Sequence, residues 1–154
     1  MRKWIAGGLL AALLAGCSTR PPSPAASPSA AGPDLQVANS QNPGQRLEIS
    51  SILVAGKTTL LEYYSDQCPP CRQMAPVMEF LAAQRPDLAI RKLNIDRVGH
   101  QGIDFDSPLA QQMGLQSVPS FGIYDGQGKM LAQGVEAKNQ VREWYSQAKA
   151  GQNR

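Results

Sequence analysis

The sequence predicts a single α/β domain, and three observations predict it. An apolar, β-favouring run at 58–64 leads into a helix-patterned segment and then a second apolar run at 88–95. That is a β-α-β unit, which implies a parallel pair with a right-handed crossover. Two shorter runs, Ser120 to Asp125 and Lys129 to Gln133, flank Asp125-Gly-Gln-Gly128 as a hairpin. The chain closes with an amphipathic helix, about Lys138 to Lys149, with Val141, Trp144, Tyr145 and Ala148 on one face.

The N-terminal third reads as address and tether. The chain has 154 residues, enough for one domain with a core after the N-terminal segment is removed. Arg2 and Lys3 precede a short apolar stretch, Trp4 to Ala15, too short to span a bilayer comfortably. Leu14-Ala15-Gly16-Cys17 resembles the bacterial lipoprotein signal. The resemblance implies a signal peptide at 1–16, lipidation of Cys17, and a membrane anchor on the periplasmic side of a bacterial membrane. Ser18 after the anchor resembles the sorting pattern for the outer rather than the inner membrane. An ordinary secretory signal with an incidental cysteine is the alternative. Loss of Arg2 and Lys3 lowers the formal charge from +3 to +1, which leaves no basic excess to argue for nucleic acid.

Residues 17–45 then comprise the lipidated cysteine and a Pro/Ser/Ala-rich linker without apolar periodicity. As a coil its residues from 18 onward span about 30 Å, and as extended polyproline II about 85 Å. Residues 34–45 are either tether or a segment that docks on the domain.

The domain is expected over 46–150. Leu47 and Ile49 alternate with Glu48 as in a short edge strand, and Ser50 can cap a brief helical segment that stops at Gly56. After the strand at 58–64, Met74, Val77, Met78 and Leu81 recur at helical spacing up to Arg85-Pro86, with Pro76 as an expected kink. Beyond the strand at 88–95, Asp96 to Asp106 is a polar loop. Ser107-Pro108 can cap and open a short helix that Gly114 ends. Aromatic residues make up only 6% of the chain, so aliphatic side chains must fill most of the core.

The first strand empties into Cys68-Pro69-Pro70-Cys71. Cysteines at i and i+3 across a first helical turn can close a small disulfide ring, and the free N–H groups and positive dipole end there favour a thiolate. Cys68 is therefore the expected nucleophile, its pKa depressed from about 8.5, and Cys71, one turn inside and expected to be better shielded, the resolving thiol. Pro69 and Pro70 tolerate the first turn but remove two donors, which predicts a mild depression and a reducing couple. With Cys17 lipidated, the pair leaves no orphan thiol. The spacing alone also serves zinc and copper.

The order of elements, together with Cys68-Pro-Pro-Cys71-Arg72, Pro76, Lys92-Leu-Asn-Ile-Asp96, Val118-Pro119 and Gly134, resembles the thioredoxin family over about 47–149. The resemblance implies a central mixed β-sheet flanked by helices. It implies that Val118-Pro119 is the cis-proline element presenting backbone groups to an extended substrate, with an ordinary trans proline as the alternative. Gly134 matches a glycine that permits close substrate approach, or is a simple strand-end glycine. Glu62 matches the buried acid behind the active site, able to relay a proton to or from Cys71, with Lys92 as its charge partner. A solvent-facing Glu62 on an edge strand is the other reading.

Two departures stand out. Gln67 occupies the position before the first cysteine where the family usually places tryptophan, and the 97–106 loop is longer than a minimal member requires. His100, with Asp104 and Asp106 nearby, is a solvated loop histidine by default, or part of a partner site or weak metal site.

The implied activity is thiol-disulfide exchange with protein thiols or disulfides, by a monomer, with no organic cofactor or metal. The reductive direction requires an electron-supplying redox partner in an oxidising compartment. Alternatives are a disulfide-donating oxidase or isomerase of the same fold, a lipoprotein handling Cu(I) through the Cys pair, or an adaptor whose disulfide is structural.

Overall fold

A computed structural model describes residues 33–152; the predicted signal peptide, Cys17, Ser18 and the linker up to residue 32 lie outside the described residues. The elements are β1 (Leu35–Val37), a 3-10 turn (Ile49–Ile52), β2 (Thr58–Tyr64), α1 (Pro69–Gln84), β3 (Leu88–Asn94), α2 (Pro108–Met113), β4 (Ser120–Tyr124), β5 (Met130–Gln133) and α3 (Val135–Gln152). Together they form one five-stranded sheet of order β1-β3-β2-β4-β5. β1, β3 and β2 run parallel, whereas β4 is antiparallel to β2 and β5 to β4. The sheet is therefore mixed, as expected.

β2 is the central strand, which explains its nearly unbroken apolar reading: both faces are covered. Alternate residues serve different layers. Leu60 packs with Ile90, Phe121, Met78, Leu81 and Val141 under α1 and α3. Leu61 and Tyr63 face the other way, onto Leu93, Leu109 and Leu115 under α2 and the 3-10 turn. Each of these fully buried aliphatic side chains contributes about 1.5–3 kcal/mol relative to exposure.

At the N-terminal edge, of the two readings of residues 34–45 the docked segment is the one observed: Leu35–Val37 pairs in parallel with Ile90 to Lys92 along the free edge of β3, ahead of the expected domain start at Arg46. Asp34 fixes that strand: its carboxylate accepts from Arg91 Nη1 at 2.7 Å and Lys57 Nζ at 3.2 Å. Its carbonyl accepts from the Ile90 amide at 2.7 Å. The expected edge strand is corrected: Leu47 and Ile49 form none. The Gln112 side chain takes both the N–H and the carbonyl of Leu47, at 3.0 and 2.7 Å, and Ile49 opens the 3-10 turn. Glu48, not Ser50, caps that turn, its carboxylate accepting from the Ser50 amide.

The remaining punctuation follows the sequence closely. Ser107 caps α2 through its hydroxyl, Pro108 stands at the first turn, and Gly114 ends the helix at φ 62°. Among the described residues, no helix is long and apolar enough to cross a membrane.

Candidate active site

β2 delivers the chain to the sheet's C-terminal edge, where Ser65, Asp66 and Gln67 turn it into α1. Cys68 is the N-cap of that helix, with extended backbone (φ −95°, ψ 108°), and Pro69 and Pro70 fill the next two positions. Neither proline has an N–H, so Cys71 supplies the first one, which donates to Cys68 Sγ at 3.1 Å. Cys68 and Cys71 are disulfide-bonded, with their Cα atoms 5.3 Å apart.

The two cysteines are not distinguished by exposure. Cys68 is 1% accessible and Cys71 3%, so the expectation that Cys71 is the better shielded is corrected. What distinguishes them is position: Cys68 Sγ sits at the helix end and accepts the N–H, and Cys71 provides it. Pro69 and Pro70 are exposed beside them.

Across the disulfide stands the β4 entry. The Val118–Pro119 peptide is cis, and the Val118 carbonyl oxygen lies 3.5 Å from Cys68 Sγ. Gly134 sits between β5 and α3 at φ 61°, and its amide donates to the Phe121 carbonyl at 2.9 Å. An added side-chain carbon there would meet nothing within 4 Å, so the space above it is open.

Glu62 lies in the middle of central β2, which excludes an edge-strand position facing solvent. It is fully buried, between Lys92 on β3 and Phe121 on β4 in the sheet register. Burial pushes its carboxyl upward, and the Lys92 ammonium 3.7 Å from Oε2 offsets this only in part. Neither carboxylate oxygen accepts a hydrogen bond from a protein donor. Lys92 also stacks over the Tyr64 ring, 4.6 Å from its centroid. A cleft of about 90 Å³ lies beside the pair, lined among others by Tyr64, Asp66, Cys71, Arg72 and Lys92. It brings Lys92 and Cys71 to one shared space that Glu62 does not itself line.

A contact that sequence reasoning missed joins its two departures. The Gln67 side chain donates to the Gly102 carbonyl at 2.8 Å and accepts from the Gly102 amide at 2.8 Å. It also reaches the His100 carbonyl at 3.3 Å. Thirty-five residues separate Gln67 from Gly102, and nothing in the local pattern links them. His100 turns inward to Asp104, 3.6 Å from Oδ1, while Asp104 is held principally by Arg97. Among the described residues, no three His, Cys, Asp or Glu side chains are grouped to hold a metal ion.

Another cavity, about 280 Å³, is at the other end of the sheet, between Leu53 to Ala55 and the β4–β5 turn at Gly126 to Gly128. It contains none of the predicted site residues.

The fold and the Cys68–Cys71 disulfide at the N-cap of α1 are those of a thiol-disulfide oxidoreductase. The model of the thioredoxin family matches residues 46–147, and the chain belongs to that family. A thioredoxin from Streptomyces clavuligerus is 30% identical over 89 residues, covering 58% of this chain and 75% of that protein. Thioredoxin-2 of Saccharomyces cerevisiae is 33% identical over 91 residues, covering 58% and 79%. A thioredoxin-like protein of Fusarium culmorum is 33% identical, and the chain spans 65% of its length. Among solved structures, Trypanosoma brucei brucei thioredoxin superposes with a TM-score of 0.52 at 17% identity, covering 79% of this chain and 96% of that one. A mutant thioredoxin from Halobacterium salinarum gives 0.51 at 23% identity, covering 75% and 93%. At those identities the superpositions speak to the fold.

Proposed function

We propose that the protein reduces protein disulfides in the bacterial cell envelope, as a monomer tethered to the outer membrane through lipidated Cys17. The observation that carries the exchange chemistry is Cys68 Sγ at the helix N-cap, within 3.1 Å of the Cys71 N–H. In the reduced protein the Cys68 thiolate attacks one sulfur of a substrate disulfide. A mixed disulfide forms, and the other substrate sulfur leaves as a thiolate that takes a proton. Cys71, deprotonated, then attacks Cys68 Sγ, releasing the second substrate thiol and leaving the Cys68–Cys71 disulfide. Two electrons have passed to the substrate, and an electron-supplying partner returns them.

The direction rests on how weakly the site favours a thiolate. One N–H reaches Cys68 Sγ where an ordinary N-cap could receive more. The Val118 carbonyl, 3.5 Å away, is placed to accept a hydrogen bond from the Cys68 thiol, which favours the neutral form. Both effects keep the Cys68 pKa from falling far, and a less stabilised thiolate makes a more reducing couple. Glu62, with Lys92 as its charge partner beside the cleft that Cys71 lines, handles the proton of the resolving thiol. Val118, Pro119 and the open space at Gly134 receive an extended substrate segment.

Reduction of insulin disulfides, with Cys68→Ser as control, tests the activity. A Cys71→Ser variant should accumulate a mixed disulfide with the cellular substrate. An inactive dithiol that instead titrates with Cu(I) would place the chain among metal-handling proteins.

A further inference from the structure

We propose that Gln67 is a specificity-determining positioning residue: it latches the Arg97–Asp106 loop beside Cys68 as a wall that limits which disulfides reach the sulfur. This rests on the exchange activity proposed above and adds to it what the site admits. Both ends of the wall are tied down. At one end the Gln67 amide pairs with Gly102 in both directions at 2.8 Å. At the other, Arg97 grips Asp104 through two bonds at 2.7 and 3.0 Å, and the Asp104 amide donates to Asp96 Oδ1 at 3.0 Å. Asp96 in turn accepts from the Ser65 hydroxyl at 2.6 Å, and Ser65 Oγ accepts from the Gln67 amide N–H at 3.0 Å. The circuit therefore starts and ends on the residue before the nucleophile.

The loop is also anchored by packing. Ile103 and Phe105 pack against the apolar cluster under α2, as does Val118, whose carbonyl lies 3.5 Å from Cys68 Sγ. Cys68 is only 1% accessible, although it must be approached in line by a substrate sulfur. Gln is suited to this position because its amide is donor and acceptor at once, matching the Gly102 N–H and carbonyl together. An indole has one N–H and no acceptor, and would not close that pair.

A wall of this kind discriminates by bulk. The reduced protein should act on a slim disulfide more readily, relative to one held in a folded protein, than a protein without the latch. The test compares the second-order rate constants with which the fully reduced parent, Gln67→Ala and Asp104→Asn are oxidised, in a single turnover, by insulin and by 5,5′-dithiobis(2-nitrobenzoate). Hydrogen exchange is followed at the Gly102 amide. Expected are a rise of about fivefold in the insulin-to-small-disulfide ratio in both variants, and Gly102 exchange about tenfold faster in Gln67→Ala. An unchanged ratio in both variants overturns the proposal. So does a change confined to Gln67→Ala, which would assign the effect to residue 67 itself and not to the loop. If the parent reduces neither substrate, the exchange activity fails separately, and unaltered Gly102 exchange would still refute the latch.

Discussion

Lys92 lies directly opposite Glu62 in the parallel register of β2 and β3, and its ammonium stops 3.7 Å from the carboxylate, too far for a hydrogen bond. A buried acid is thus left with a charged neighbour but no donor, so ionising it is disfavoured. The folded state therefore holds its proton to higher pH than the unfolded state. Stability is full below the unfolded carboxyl pKa and declines as pH rises toward the raised folded one. Glu62→Gln removes this loss. It should be more stable than the parent at pH 7 by about 1–3 kcal/mol, and the difference should vanish near pH 4, as read from urea unfolding.

The same replacement bears on turnover. If Glu62 handles the Cys71 proton, Glu62→Gln should slow resolution of the mixed disulfide more than its formation, in single-turnover kinetics. Lys92→Met removes the offsetting charge, pushes the Glu62 carboxyl further upward and should shift the pH dependence of resolution to higher pH. Equal effects on both steps would contradict the relay.

Asp34 ties β1 to the sheet. Burial would raise its carboxyl, but hydrogen bonds and charge from Arg91 and Lys57 outweigh this and hold it below the usual range. A lowered folded pKa contributes stability above the unfolded pKa and loses it as pH falls through the folded one. Asp34→Asn should therefore cost about 1–3 kcal/mol at pH 7, with the cost shrinking below about pH 3.

Gly44 tests the docking of the segment before Arg46. At φ +71°, an added Cβ would meet Arg97 N at 2.7 Å and the Ile95 carbonyl oxygen at 2.9 Å. These contacts are all backbone, so nothing flexible can yield. Gly44→Ala should destabilise the domain by about 1–3 kcal/mol, and a chain begun at residue 46 should lose at least as much.

These last two positions show where the sequence was silent. The β-α-β unit, the hairpin, the caps at Ser107 and Gly114 and the Cys-x-x-Cys helix were legible because each is written in a local period or a fixed offset. β1 was not, because three residues beside a proline-rich stretch carry no period, and the strand is defined by Asp34 and the edge of β3. Leu47 and Ile49 misled because a two-residue alternation fits a strand and a 3-10 turn equally, and the deciding partner, Gln112, is 65 residues away. In the site, Cys68, Cys71, Glu62, Lys92 and Val118-Pro119 could be singled out beforehand. The bond from Gln67 to Gly102 could not, since amide pairing across 35 residues leaves no mark in either segment.

Backbone placement at the N-cap of α1 is expected to make Cys68 a moderately activated nucleophile. The rate of iodoacetamide alkylation of Cys68 in the reduced protein, measured from pH 4 to 10, tests it most directly. An inflection below the free-thiol value of about 8.5 but well above 4 is expected. A Cys68 that titrates like a free peptide thiol, or one already fully reactive near pH 4, would contradict it.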